Sequence, residues 1–237
     1  MAVVRKFRAL VVEVDIHTPE VITYCLQPEK SLPRFRAGQF LHLALDEFDG
    51  SGEWPDSRTF SMASSPDCRD RVRITISRVG AFTGRMVDEL VIGSSVWLKL
   101  PYGEFTFSDP SPVYVLIAGG TGLAPFASYL EHCLENNIAD RTLHLFYGVC
   151  GPRHLLYCSL INRCEREIAD FTLTLYSEAP GIDGARAGRL DAGMIFAECH
   201  SPDTCYYLSG PLAMVTSIGD SLRDLGVAHD RIHIDEW

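Results

Sequence analysis

The stretch VYVLIAGGTGLAPF, Val113 to Phe126, decides the fold. Its first residues form a continuous apolar run without alternation, the pattern of a strand buried on both faces. The run passes straight into Gly119, Gly120, Thr121 and Gly122, and a helical pattern begins directly after. Glycines at such a turn let the backbone approach an anion closely, and the following helix aims free N–H groups and its positive dipole end at it. A pyrophosphate is the natural occupant, although a tight structural turn has the same composition. The spacing is not the G-x-G-x-x-G of a dinucleotide fold, because Pro125 stands where that helix would continue.

Downstream of this turn, APFASYLEHCLENN reads as a helix, RTLHLFYGV as a strand, LYCSLINRCERE as a helix and FTLTLYSEA as a strand. TCYYLSG and LAMVTSIGDSLRDLG follow, and the chain closes on the alternating RIHIDEW. Strands and helices that alternate in this way imply a parallel sheet covered on both faces. Upstream the character changes at SDPSPV, Ser108 to Val113, a linker-like cluster. Before it lie short runs such as RALVVEVDI, VITYCLQ, QFLHLAL, RVRITISRV and SSVWLKL, bounded by Gly, Pro, Asp and Ser, which suggest an antiparallel β-barrel. One helix is expected there, in TGRMVDELV from Gly84. The predicted organisation is therefore two domains, a β-barrel over 1–108 and an α/β domain over 109–237.

The 237 residues suffice for two modest cores. With 46% hydrophobic and 22% charged residues the composition is that of a folded globular chain. A net charge of −10 argues against a nucleic-acid binder. The charge is uneven: residues 1–108 hold 13 Lys and Arg against 14 Asp and Glu, and the remainder 8 against 17. The near-neutral first half, with RKFR, RFR and RDRVR, suits an acidic partner, and solvated strand ends explain the same residues. No apolar run is long enough to span a bilayer and no signal-peptide pattern opens the chain, so a cytoplasmic protein is expected. The eight cysteines contain no C-x-x-C pair and no iron–sulfur spacing, and the eight histidines suggest no metal site.

Five further motifs carry chemistry. Arg58, Thr59, Phe60 and Ser61 set an arginine beside a hydroxyl and an aromatic; alone, this string is a surface segment with one core residue. Gly80, Phe82, Thr83, Gly84 and Arg85 mark a helix start, for which an N-cap is the plain explanation. Ser209, Gly210, Pro211 and Met214 form a strand-to-helix turn. Ser177-Glu178 ends a strand, and GPR at 151–153 follows another. In this order and together with the glycine turn, these motifs resemble the ferredoxin–NADP reductase family of flavoproteins over nearly the whole chain.

The resemblance implies an N-terminal barrel holding FAD and a C-terminal domain holding NADH or NADPH. Arg58 would then pair with the flavin pyrophosphate, Phe60 pack on the isoalloxazine, and the Ser61 hydroxyl lie near N5; a planar guanidinium fork suits phosphate oxygens. Thr83 and Arg85 would form a second pyrophosphate cradle. Ser209 stands where the family carries a cysteine near the nicotinamide, ahead of Gly210, Pro211 and Met214. Glu178 stands where NADP-preferring members place an arginine, which leans the choice toward NADH, while nearby Arg186 and Arg189 keep NADPH open. Trp237 would cover part of the flavin, and Asp235 and Glu236 are read as solvent-exposed carboxylates.

The function implied is hydride transfer from NAD(P)H to FAD and single-electron delivery to a separate acceptor. That acceptor would be a small ferredoxin or flavodoxin, in service of an oxygenase. Two alternatives remain open at this stage. RTFSMAS is shared with free-flavin reductases of the same fold, and the Ser209 replacement suits a non-catalytic coupling subunit.

Overall fold

The computed structural model describes residues 3–50, 52–138 and 140–235. It divides at the predicted linker into two compact units, one ending at Phe107 and the other beginning at Ser108.

The first unit is a six-stranded antiparallel sheet. Its strands are β1 (Arg5–Thr18), β2 (Val21–Pro28), β3 (Phe40–Ala44), β4 (Ser57–Ser61), β5 (Val72–Ser77) and β6 (Ser95–Tyr102). Their spatial order is β4-β3-β6-β1-β2-β5. Alternation decides which side of each strand faces inward: Phe7, Ala9 and Val11 of β1 are buried while Lys6, Arg8 and Leu10 are exposed. Beyond β4 the chain bends onto β5, where the Ala63 N–H donates to the Arg73 carbonyl at 2.8 Å. The sheet thereby curls into a nearly closed barrel around Leu26, Leu41, Leu43, Ile74, Val96 and Leu98.

Between β5 and β6 lies α1 (Ala81–Glu89), which begins three residues before the Gly84 start expected from sequence. The reason is local. The Thr83 hydroxyl accepts the Val79 and Gly80 N–H groups at 3.0 and 3.2 Å, so the turn is already wound when Gly84 is reached. Phe82 and Met86 bury the inner face of α1, and the Tyr24 hydroxyl donates to the Met86 carbonyl at 3.0 Å.

The second unit is a parallel sheet of β7 (Val113–Gly119), β8 (Thr142–Val149), β9 (Phe171–Ser177), β10 (Arg186–Ala187), β11 (Thr204–Ser209) and β12 (Ile232–Ile234). The spatial order is β10-β9-β8-β7-β11-β12. Four α-helices cover it: α2 (Ala124–Asn136) packs with α3 (Cys158–Glu167), and α4 (Ala192–Cys199) with α5 (Leu212–Asp224). Pro125 falls in the first turn of α2, where a missing N–H costs nothing. Helix α4 was not foreseen. Gly193 and its short length hide the periodicity, and its start is fixed by the Asp191 side chain, which accepts the Met194 N–H at 2.8 Å. Val115 and Ile117 of β7 and Tyr206 and Leu208 of β11 share a core with Ile195 of α4 and with Val215 and Ile218 of α5.

Candidate functional site

In the second unit the chain starts at β7 and moves outward to β8, β9 and β10 on one side, then returns to β11 and β12 on the other. The strand order therefore switches between β7 and β11, and ligands of open α/β sheets bind beyond the carboxyl ends of the strands at such a point. The Gly119–Gly122 turn ends β7, and Ser209, Gly210 and Pro211 end β11. The structure brings these predicted residues together at very close range. A Cβ added to Gly122 would lie 2.3 Å from the Ser209 carbonyl oxygen and 2.5 Å from Gly210 Cα; one on Gly119 would lie 2.6 Å from Met214 Sδ. These two positions are glycine because one turn is seated on the other.

Gly120 differs: its φ is +54°, in the left-handed region, and a Cβ there would meet nothing within 4 Å. Its side of the turn is open, so backbone stays accessible there. Below it, the buried Tyr147 hydroxyl donates to the Gly120 carbonyl at 3.2 Å, pinning the turn from β8.

Ser209 is buried, and its hydroxyl donates to Asp235 Oδ2 at 2.9 Å. Asp235 is 7% exposed, so the expectation of a solvent-exposed carboxylate is corrected. The register explains the change: Leu208 pairs with Ile234, so the next residues, Ser209 and Asp235, emerge side by side on one face. Glu236 and Trp237 lie outside the described residues.

At the end of β9, Glu178 accepts from Arg189 Nε at 2.9 Å, and its backbone N–H donates to the Val149 carbonyl at 3.1 Å. Arg189 is largely exposed. Arg186 is engaged elsewhere, bonded to Glu198 and to the Tyr176 hydroxyl. The stretch from Gly148 to Arg153 spans the end of β8 and the turn after it, and Leu190 lies 3.0 Å from where a Gly148 Cβ would stand.

In the first unit, β4 carries Arg58, Thr59, Phe60 and Ser61 as an edge strand paired to β3. Arg58 is about half exposed; its Nη1 bonds Asp56 at 2.6 Å and its guanidinium carbon stands 5.1 Å over the centre of the Phe82 ring. Phe82 itself is buried in the barrel core, so it offers Arg58 a flat apolar seat. Phe60 packs partly buried against the same core. Thr83 spends its hydroxyl on the turn. The amides of Ala81, Phe82 and Thr83 have no intrahelical acceptor, and a Cβ at Gly80 would meet nothing within 4 Å, so the mouth of α1 is open. Arg85 is held by Asp46 and Glu89, each at 3.0 Å, and this pairing keeps the Asp46 carboxyl below its usual range.

Residues 116–220 match the family model of the oxidoreductase NAD-binding domain. The reductase component of propane 2-monooxygenase from Rhodococcus jostii (strain RHA1) is 28% identical over 99% of this chain and 64% of its own length. Reductase component 2 of terephthalate 1,2-dioxygenase from Comamonas sp is 28% identical over 98% of this chain and 68% of its own. The crystal structure of the Amycolatopsis cytochrome P450 reductase GcoB superposes with a TM-score of 0.85, at 25% identity, over 99% of this chain and 70% of that one. That of a ferredoxin NADP+ reductase from Neisseria gonorrhoeae with bound FAD and NADP superposes with a TM-score of 0.82, at 21% identity, over 97% and 98% of the two chains. The chain is similar over nearly its whole length to ferredoxin reductase-type FAD- and NAD-binding reductases, and residues 116–220 carry the oxidoreductase NAD-binding domain. It spans just under two thirds of the first of these relatives.

The residues of this chain fit both FAD and a nicotinamide nucleotide. Gly120 and Gly80 present open backbone at a strand-to-helix turn and a helix mouth, the two settings in which N–H groups meet phosphate oxygens. Arg58 adds a guanidinium at the barrel edge, seated on an aromatic face that holds its plane.

Proposed function

We propose that this reductase takes a hydride from NAD(P)H onto FAD and delivers electrons singly to a separate acceptor, a small ferredoxin or flavodoxin that serves an oxygenase in the cytoplasm. The observation that carries the reading is the glycine turn at the strand-order switch, open only at Gly120, in a chain whose other unit presents Arg58 on a barrel edge. Residues 1–108 form the FAD-binding part and 109–237 the NAD(P)H-binding part.

Bound FAD supplies the exchange between a two-electron donor and one-electron acceptors. The protein's residues bind and orient. Arg58 gives its fork to the FAD pyrophosphate, with the open amides of α1 as a second anchor. Phe60 gives flat support beside the ring system, and the small Ser61 hydroxyl leaves its reacting edge open to hydride approach. In the second unit the amides around Gly120 receive the nucleotide pyrophosphate. Ser209 donates its proton to Asp235, which turns the lone pairs of the hydroxyl outward as acceptors for the N–H groups of a nicotinamide carboxamide. Trp237 is assigned the part of an aromatic cover on the flavin. Glu178 accepts bonds from the ribose hydroxyls and repels a 2′-phosphate, which favours NADH.

The test is a visible spectrum of the desalted protein, followed by anaerobic addition of NADH and, in a fresh sample, NADPH. A flavin band that bleaches with one nucleotide establishes the reductase and names its donor. A colourless protein that reduces added flavin is a free-flavin reductase, and one that reduces nothing is a coupling subunit.

A further inference from the structure

Away from the nucleotide turn, at the opposite ends of β11 and β12, three potential metal ligands from distant parts of the sequence converge. Asp109 lies in the linker, Cys205 near the start of β11 and His233 in β12, and one donor atom from each lies within 4.8 Å of the others. We propose that Asp109, Cys205 and His233 form a binding site for a soft divalent cation, Zn2+ in particular, that fastens the linker to the sheet.

Each donor is held by its surroundings. Cys205 is fully buried in the sheet. The His233 ring stacks on Tyr207 with centroids 4.6 Å apart and planes 21° apart, which sets the direction of its nitrogens. Asp109 Oδ1 accepts the Ser111 N–H at 2.8 Å, and the Asp109 carbonyl accepts from the Tyr114 hydroxyl and from Arg141. His233 Nε2 is buried and has no hydrogen-bond partner among the described residues; it stands 4.0 Å from Asp109 Oδ2. A buried imidazole nitrogen without a partner is uncommon and calls for one.

A thiolate, an imidazole and a carboxylate are the ligand types that zinc takes at about 2.0–2.3 Å, with water in the fourth position. The coordinating atoms of such a tetrahedron lie about 3.3–3.8 Å apart, so the three side chains must close by roughly an ångström. Asp109 and His233 are not fully buried and have room to do so. The present occupant of the region is itself a cation: Arg231 Nη1 lies 3.4 Å from Asp109 Oδ1 and 3.5 Å from Cys205 Sγ. The Asp109 contact is long and the Cys205 contact is ordinary for sulfur, and the Arg231 side chain is a third exposed, so it can swing outward. Binding would release the Cys205 thiol proton to solvent, and the two anionic ligands would then neutralise the ion.

The experiment uses the full chain with exposed Cys150 and Cys158 replaced by serine, to remove competing thiols. Zn2+ binding is measured by competition with a chromogenic chelator, and Co2+ is added as a spectroscopic substitute. One equivalent of Zn2+ and a thiolate-to-cobalt absorption band are expected. Cys205→Ser and His233→Gln should each weaken binding at least about tenfold, the scale on which even supporting residues of metal sites act. Arg231→Gln should tighten it. If Cys205→Ser does not fold, the more exposed His233→Gln decides. Binding well short of one equivalent, or binding that His233→Gln leaves unchanged, overturns the site and leaves Arg231 as the permanent counter-ion.

Discussion

Arg58 and Arg85 are both arginines near the mouth of α1, but their neighbours give them different freedom. Arg58 has one carboxylate partner, Asp56, and a ring beneath it, whereas Arg85 is clasped by Asp46 and Glu89. A phosphate can draw Arg58 from one exposed contact, but must compete with two carboxylates for Arg85. Arg58→Ala is expected to weaken FAD binding about 10- to 100-fold, the equivalent of one charge-assisted contact, and Arg85→Ala by less. Flavin fluorescence titration of the two apoproteins checks the order. Ser209 makes a different kind of prediction, because its bond to Asp235 is buried. Ser209→Ala leaves that carboxylate without its 2.9 Å donor and should lower stability by about 1–3 kcal/mol, read as a fall in the urea midpoint at constant m value.

At the scale of elements, the turn after β7 separates two uses of glycine that look alike in the sequence. Gly122→Ala drives a methyl group into the Ser209 carbonyl and Gly210, both backbone, which can only move by displacing the end of β11. A cost of about 1–3 kcal/mol is expected, with loss of nucleotide binding because the two turns separate. Gly120→Ala meets no atoms, and its cost is about 1–2 kcal/mol for a left-handed residue with a side chain. Yet it places a methyl group on the face proposed to meet the nucleotide, so its effect on the nucleotide KM should be out of proportion to its effect on the melting temperature. Measuring both quantities for both variants distinguishes the packing glycine from the binding one. Sequence reading recognised the turn but not this division, since the close contacts come from Ser209, Gly210 and Met214, which lie far along the chain.

For the whole molecule, the two-unit architecture was legible because each unit has its own hydrophobic period: alternation before Ser108, continuous buried strands with intervening helices after it. What escaped was either short or non-local. Helix α4 is only eight residues long with a glycine inside, and Asp235 reads as a tail carboxylate until the pairing of β11 with β12 sets it beside Ser209. The charge at the end of β9 is non-local in the same way. Glu178 is paired to Arg189, so the proposed ribose position carries an ion pair rather than a bare carboxylate. Both side chains are solvated, and a pair of this kind is worth little in itself. It can therefore open toward either ligand: Glu178 toward two ribose hydroxyls, Arg189 toward a 2′-phosphate. With Glu178 present, each choice leaves one charge without its partner, so the proposed preference for NADH is expected to be modest. Glu178→Arg removes that balance, setting two cations beside the 2′ position. The ratio of kcat/KM for NADPH to that for NADH should then rise by at least about tenfold, the equivalent of roughly 1.4 kcal/mol. Arg189→Ala in the same background should return part of that gain. An unchanged ratio in Glu178→Arg would place the 2′ position elsewhere on the sheet edge and remove Glu178 from the choice of donor.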